Sequence, residues 1–187
     1  MNVEENGDIV FRNEASELHR EDGPAFVSVQ KDILIWKWYF ENKLHNDAGP
    51  TVIVKDKSGR GSKTEWYRFG KLHNSEGPAS VDRSCERWFL NGLLHRQDGP
   101  AVTVNNFYFT RYEFLQHGKP FRENDGPTNV DVSYENGDEI QNERWFVSEN
   151  LETSECLEKK KMHRVEGPAY VRKVNDTVVR EEWYHNA

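Results

Sequence analysis

The sequence predicts an all-β fold, an elongated antiparallel meander of about six β-hairpin repeats and about thirteen strands. Three observations carry this expectation. Six of the seven prolines follow a glycine, at Gly23-Pro24, Gly49-Pro50, Gly77-Pro78, Gly99-Pro100, Gly126-Pro127 and Gly167-Pro168, with intervals of 26, 28, 22, 27 and 41 residues. Five of the seven histidines (His19, His45, His73, His95 and His163) hold one place ahead of that dipeptide, as in Leu94-His95-Arg96-Gln97-Asp98. The apolar runs are short, β-branched or aromatic, and bounded by turn residues, which suits strands and not helices.

Taken along the chain, Ile9-Val10-Phe11 reads as a lone leading strand, so residues 1–17 form a cap and residues 18–187 the repeat array. Each repeat then opens with Gly-Pro, followed by Ala or Thr and an alternating strand such as Val52-Ile53-Val54 or Val102-Thr103-Val104. Proline at the strand start removes an N–H where no ladder bond is needed, and the glycine before it is expected to supply a sharp turn with positive φ. A second strand carries the aromatic column Trp38, Trp66, Trp88, Trp145 and Trp183, with Phe114 in the equivalent place of the fourth linkage. An Asn-Gly turn, cleanest at Asn91-Gly92, closes that end. The last interval is lengthened by an insertion at 150–161, expected to be a short helix or an ordered loop.

Strand alternation puts the tryptophans on one face. The charged residues just before them (Lys37, Glu65, Arg87, Glu113, Arg144 and Glu182) lie on the other. Their alternating sign reads as a solvated, self-compensating column, leaving the Trp face as core. Together with Gly23, Gly49, Gly77, Gly99, Gly126 and Gly167, the tryptophans are read as structural frame.

Composition narrows the function classes. The chain has 187 residues, 25 basic and 32 acidic, for a formal net charge of −7. This acidity argues against a general nucleic-acid binder, whose affinity would rest on neutralised phosphates. Only 35% of residues are apolar, yet six Trp, seven Tyr and ten Phe supply enough buriable surface to argue against disorder. No run of about 18 apolar residues marks a membrane span, and no charged-then-apolar leader marks secretion. Cys85 and Cys156 match neither a disulfide framework nor a zinc ribbon, so a cytoplasmic setting is expected.

The spacing Trp-x-x-Asn-Gly-x-x-His-x-x-x-Gly, as in Trp88-Phe89-Leu90-Asn91-Gly92-Leu93-Leu94-His95-Arg96-Gln97-Asp98-Gly99, resembles MORN-type repeats. The Leu-His-Arg-x-Asp-Gly-Pro-Ala form is similar to divergent copies found in bacteriophage and giant-virus proteins, and to the hairpin repeats of the YwqK-like antitoxin family. The resemblance runs over roughly residues 16 to 187, with Gly-Pro-Ala standing where MORN units carry Gly-x-Gly. It implies stacked hairpins, scaffolding and partner binding, lipid contact in some members, and no shared catalytic residue.

The histidine column could be a metal or acid/base array, but geometry opposes it. Equivalent positions in successive hairpins stand about 9.6 Å apart, whereas each ligand of one zinc must come within about 2.1 Å of it. The column therefore reads as structural, each imidazole bonding a backbone carbonyl or a nearby loop carboxylate. Arg20, Arg96 and Arg164 beside it are suited to anionic groups, or to a salt bridge with the adjacent loop acid. No nucleophile-base pattern, phosphate loop or metal motif stands out, so neither catalysis nor a cofactor is expected. The expected function is a non-enzymatic protein-binding module. On the viral resemblance it would inhibit a host factor in the host cytoplasm, its acidity favouring a basic target. Arg20, Arg96, Arg164, His19, His95 and His163 are the candidate contacts for a partner. The alternative is a binder of a nucleotide or other small anion at the His/Arg loop edge. Pairing of copies through a sheet edge is a further expectation.

Overall fold

A computed structural model describes residues 2–58, 62–147 and 161–184. The insertion expected at 150–161, Cys156 with it, lies outside the described residues but for Lys161, whose backbone pairs in a strand. The fold is all-β, and an antiparallel meander carries it. Two compact units divide the chain, residues 1–92 and 93–187.

In the first unit eight strands follow chain order: Asn2–Val3, Ile9–Val10, Phe26–Gln30, Ile33–Lys37, Val52–Asp56, Ser62–Glu65, Ser80–Asp82 and Cys85–Arg87. The second has six: Val102–Asn105, Phe109–Glu113, Asn129–Glu135, Asp138–Arg144, Tyr170–Val174 and Thr177–Glu182. The sequence suggested about thirteen strands, and the additional one is Asn2–Val3, which pairs with Ile9–Val10 around a turn holding Gly7 at φ 84°. The leading segment is thus a hairpin, and no alternation of apolar residues in Asn2–Asn6 announces it.

Among the described residues, five of the six repeats also carry a small hairpin beyond the long strands. Examples are Tyr39–Phe40 with Lys43–Leu44, Tyr67–Arg68 with Lys71–Leu72, and Leu115–Gln116 with Lys119–Pro120. Their two-residue turns hold positive φ at both positions, 47° and 59° at Glu41-Asn42, 47° and 83° at Phe69-Gly70, and 50° and 76° at His117-Gly118. That is the type I′ geometry whose twist matches paired strands, and it explains the recurrent glycine or asparagine second in the turn.

The aromatic column sits where the chain leaves a long strand for its small hairpin. The amides of Trp38 and Trp66 donate to the carbonyls of Thr51 and Ala79, and their own carbonyls accept the amides of His45 and His73. Phe11 has the same pattern with Ala25 and His19, which makes it the first member of the column. In five of the six repeats the residue after Gly-Pro sits at the tightest point: Ala25, Thr51, Ala79, Ala101 and Ala169 are all 0% exposed, while Thr128 is half-buried. Only a small side chain fits there. The Thr51 hydroxyl adds a bridge, donating to the Tyr67 carbonyl at 3.1 Å and accepting its amide at 2.8 Å.

Burial does not follow the Trp face alone. Trp145 is buried, Trp38, Trp66 and Trp88 are half-buried, and Trp183 is exposed. The column on the opposite side contributes as much, with Phe89 and Leu115 buried and Tyr39 and Tyr67 half-buried. Burial and the neighbouring Glu65 charge push the Tyr67 phenol up to about 12. The charged column is not freely solvated either. Glu113 is buried, and the others are half-buried. Lys63 meets Glu65 at 2.6 Å and Arg87 meets Asp82 at 3.5 Å. Level with Val52, Ser80 and Val102 across the strands, this column stands in the best-covered rows of the sheet, where pairing offsets lost hydration.

Candidate functional site

The loop edge bearing the histidine and arginine columns is built by the frame itself. His19, His73 and His95 each accept, at Nδ1, the backbone N–H of the next small turn, from Glu41 (3.3 Å), Asn91 (3.2 Å) and His117 (3.2 Å). The turn residue after it donates to the leucine carbonyl before the histidine, as Asn42 does to Leu18 and Gly118 to Leu94. The imidazole is therefore a peg between consecutive hairpins. Sequence reasoning expected a backbone carbonyl or a loop carboxylate as partner. The main partner is instead an amide, with carboxylates at the outer nitrogen: His19 Nε2 lies 3.8 Å from Glu21 and His45 Nε2 3.4 Å from Asp47.

Two members differ. His45 stacks on Phe69, centroids 4.0 Å apart, and its Nδ1 has no hydrogen-bond partner among the described residues. The His163 Nδ1 is likewise buried and unpartnered among them. Phe121 fills the place ahead of the fifth Gly-Pro and keeps the backbone bond to Phe114 at 3.0 Å.

The arginines lie between an aromatic ring and the loop glycine. Guanidinium carbons stand 4.0 Å from the Phe11 ring centre for Arg20, 4.0 Å from Phe114 for Arg122 and 4.3 Å from Trp145 for Arg164. Arg20 and Arg96 reach their own loop acids, Asp22 at 2.6 Å and Asp98 at 3.1 Å. Those hydrogen bonds hold both carboxyls below the usual range. Arg164 instead crosses to Asp125 of the preceding loop at 2.7 Å. Asn46 and Asn74 do the same work in their repeats: each amide donates to the carbonyl of the loop proline and accepts an amide two residues on. Arg122 also donates to its loop proline, at the Pro127 carbonyl.

An open cleft of about 510 Å³ lies on this edge of the second unit, lined among others by Arg96, Phe114, Gln116, Phe121 and Arg122. It coincides with the interruption of the histidine column, where the loop is one residue longer and Asn124 and Asp125 take φ of 56° and 52°. No group of three or more potential metal ligands is found among the described residues. Cys85 is buried. No helix of the described residues is long and apolar enough to cross a membrane.

The opposite ends of the long hairpins hold exposed side chains that sequence reasoning did not name. Phe107 is 96% exposed, Tyr108 79% and Tyr134 70%, all in the second unit. The first unit shows Val29 and Ile33 exposed beside the Lys31-Asp32 turn. The signal was legible: Asn106-Phe107-Tyr108 occupies a connection in which turn residues are expected, and two consecutive aromatics there have no strand to serve.

In comparisons with known proteins, no family model matches the chain, and no curated protein and no solved structure matches it.

Proposed function

We propose that the chain is a non-enzymatic protein-binding module in which a rigid hairpin frame presents variable hairpin ends to a partner. One contrast supports this reading. His19, His73 and His95 bond neighbouring turn amides and the arginines pack on frame aromatics, while large apolar side chains stand exposed at ends that differ from repeat to repeat. The resemblance to bacteriophage and giant-virus repeats supports a finer version, a viral protein that binds and inhibits a host defence factor in the host cytoplasm. A tagged chain used as bait in host lysate at two salt concentrations, followed by reconstitution with the purified prey, tests the binding role. Capture at neither concentration would count strongly against it.

The cleft favours a second reading, a nucleotide or other small anion held at the arginine-bearing edge. Thermal-shift screening discriminates, because a ligand at a hundred times its Kd adds about 2.7 kcal/mol of stability. A flat screen removes this alternative.

A further inference from the structure

We propose that the hairpin ends of the second unit form a docking surface for a basic protein segment, one presenting arginine or lysine. This deepens the protein-binding reading and rests on it.

The surface begins with two rings held outward. Phe107 and Tyr108 pack edge to face, centroids 5.5 Å apart, and stay 96% and 79% exposed. Their loop is not frayed: the Asn106 side-chain oxygen accepts the amides of Tyr108 at 2.8 Å and Phe109 at 3.0 Å. Leaving a large aromatic in water forgoes its burial, so a pair fixed in that state is a preorganised anchor for something that covers it.

Register supplies the surroundings. Phe109 pairs with Ser133, and the strand Asn129–Glu135 runs two residues farther, bringing Tyr134 and Glu135 level with the aromatic loop. Tyr134 donates to Glu139 at 2.9 Å. Asn175 of the last hairpin accepts the Glu139 amide at 2.9 Å and donates to Asp138 at 2.8 Å, so the neighbouring ends are latched together. Across residues 105–109, 134–139 and 175–178 there are four carboxylates, Glu135, Asp138, Glu139 and Asp176, and no lysine or arginine; Arg172 reaches Glu135 at 3.9 Å, which leaves the other three in excess.

Exposed ring faces beside the carboxylates of Asp138, Glu139 and Asp176 select a cation with an apolar stem. A guanidinium stacks on Phe or Tyr and forks onto a carboxylate, while its methylenes cover the ring. The same field repels phosphate-bearing partners, which favours a protein over nucleic acid or an anionic bilayer.

Fluorescence anisotropy with the full chain tests this, using a short labelled peptide of alternating Arg and Gly and its Glu-Gly counterpart. The Arg peptide should bind, weaken with salt, and lose about tenfold or more in affinity with either Phe107→Ser/Tyr108→Ser or Asp138→Asn/Asp176→Asn. Circular dichroism should show both variants folded, since the substituted side chains are exposed. Equal binding of the Glu peptide, no binding of the Arg peptide, or binding untouched by the aromatic substitutions would overturn the proposal. So would Phe107-dependent binding of oligothymidylate or of phosphatidylserine vesicles. A reconstituted partner held at full strength by both variants would remove this surface yet leave the protein-binding role standing. Failure to capture any partner removes the role itself.

Discussion

A β-carbon added at Gly99 would lie 3.0 Å from the Arg96 guanidinium, and at Gly167 2.9 Å from that of Arg164. Where the loop carries an arginine, at Gly23, Gly99, Gly126 and Gly167, the Gly-Pro glycine is crowded by that side chain. Only Gly167 among the six has positive φ, at 120°, so the left-handed turn expected from sequence does not recur. In repeats where asparagine replaces arginine the space is open: the nearest atom to a β-carbon at Gly49 is Asn46 Nδ2 at 4.0 Å. Gly99→Ala should displace Arg96 from its place and cost about 1 kcal/mol, whereas Gly49→Ala should stay within about 0.5 kcal/mol of the parent. Urea midpoints of the two variants check this, and equal losses would contradict it.

The His95 peg also imposes a pH dependence. Burial, and then the charge of His117, hold His95 below its ordinary value of 6.5. Its Nδ1 accepts a hydrogen bond and must stay unprotonated to do so. The unfolded chain thus takes up a proton at a pH where folded His95 is still neutral. Stability from this residue is complete above about 6.5 and falls as pH drops below that toward the folded-state pKa. Denaturant midpoints measured at about pH 7.5 and about pH 5.5 should differ more for the parent than for His95→Ala. An unchanged difference would show that the peg does not titrate in this window.

At the scale of elements, the strand Asn129–Glu135 is clamped from both sides. Asp131 accepts from Arg111 of one neighbouring strand at 2.6 and 3.3 Å and from Arg144 of the other at 2.6 Å. Burial by itself would raise the Asp131 carboxyl, but the two guanidinium hydrogen bonds and charges outweigh it and the pKa is lowered. A depressed carboxylate contributes above its unfolded pKa, and that contribution is lost as pH falls through the folded value. Asp131→Asn should cost about 1.5–3 kcal/mol at neutral pH, because it leaves two half-buried guanidiniums facing a neutral amide. The loss should shrink in acid. A cost that is the same at about pH 7 and about pH 3 would argue against the clamp. Arg111 and Asp131 are only two of many charges in the sequence, and nothing in their spacing of 20 residues marks them as partners. Register alone brings them opposite each other.

At the scale of the molecule, stability is spread over strands that contact only their neighbours, so local opening should follow position within each unit. Amide exchange is expected to be slowest in Asn129–Glu135 and Asp138–Arg144, each paired on both flanks over five or more residues, and fastest in Asn2–Val3, paired over two. Uniform protection in the second unit would instead indicate a single cooperative block.

The fold class was legible from Gly-Pro spacing and two-residue periodicity, because a repeat writes its hydrogen-bonding needs into every copy and local turn chemistry is short-range. The same repetition argued that His95 or Arg20 serves the frame before any ligand. Partners across strands were not legible. That a histidine accepts the amide of the next hairpin, that a guanidinium fills the place of a β-carbon, and that Phe107 meets no core all depend on register between segments about 20 residues apart. Periodicity sorts residues into faces, and only the assembled sheet decides which face is covered and which end of a hairpin is left for a partner.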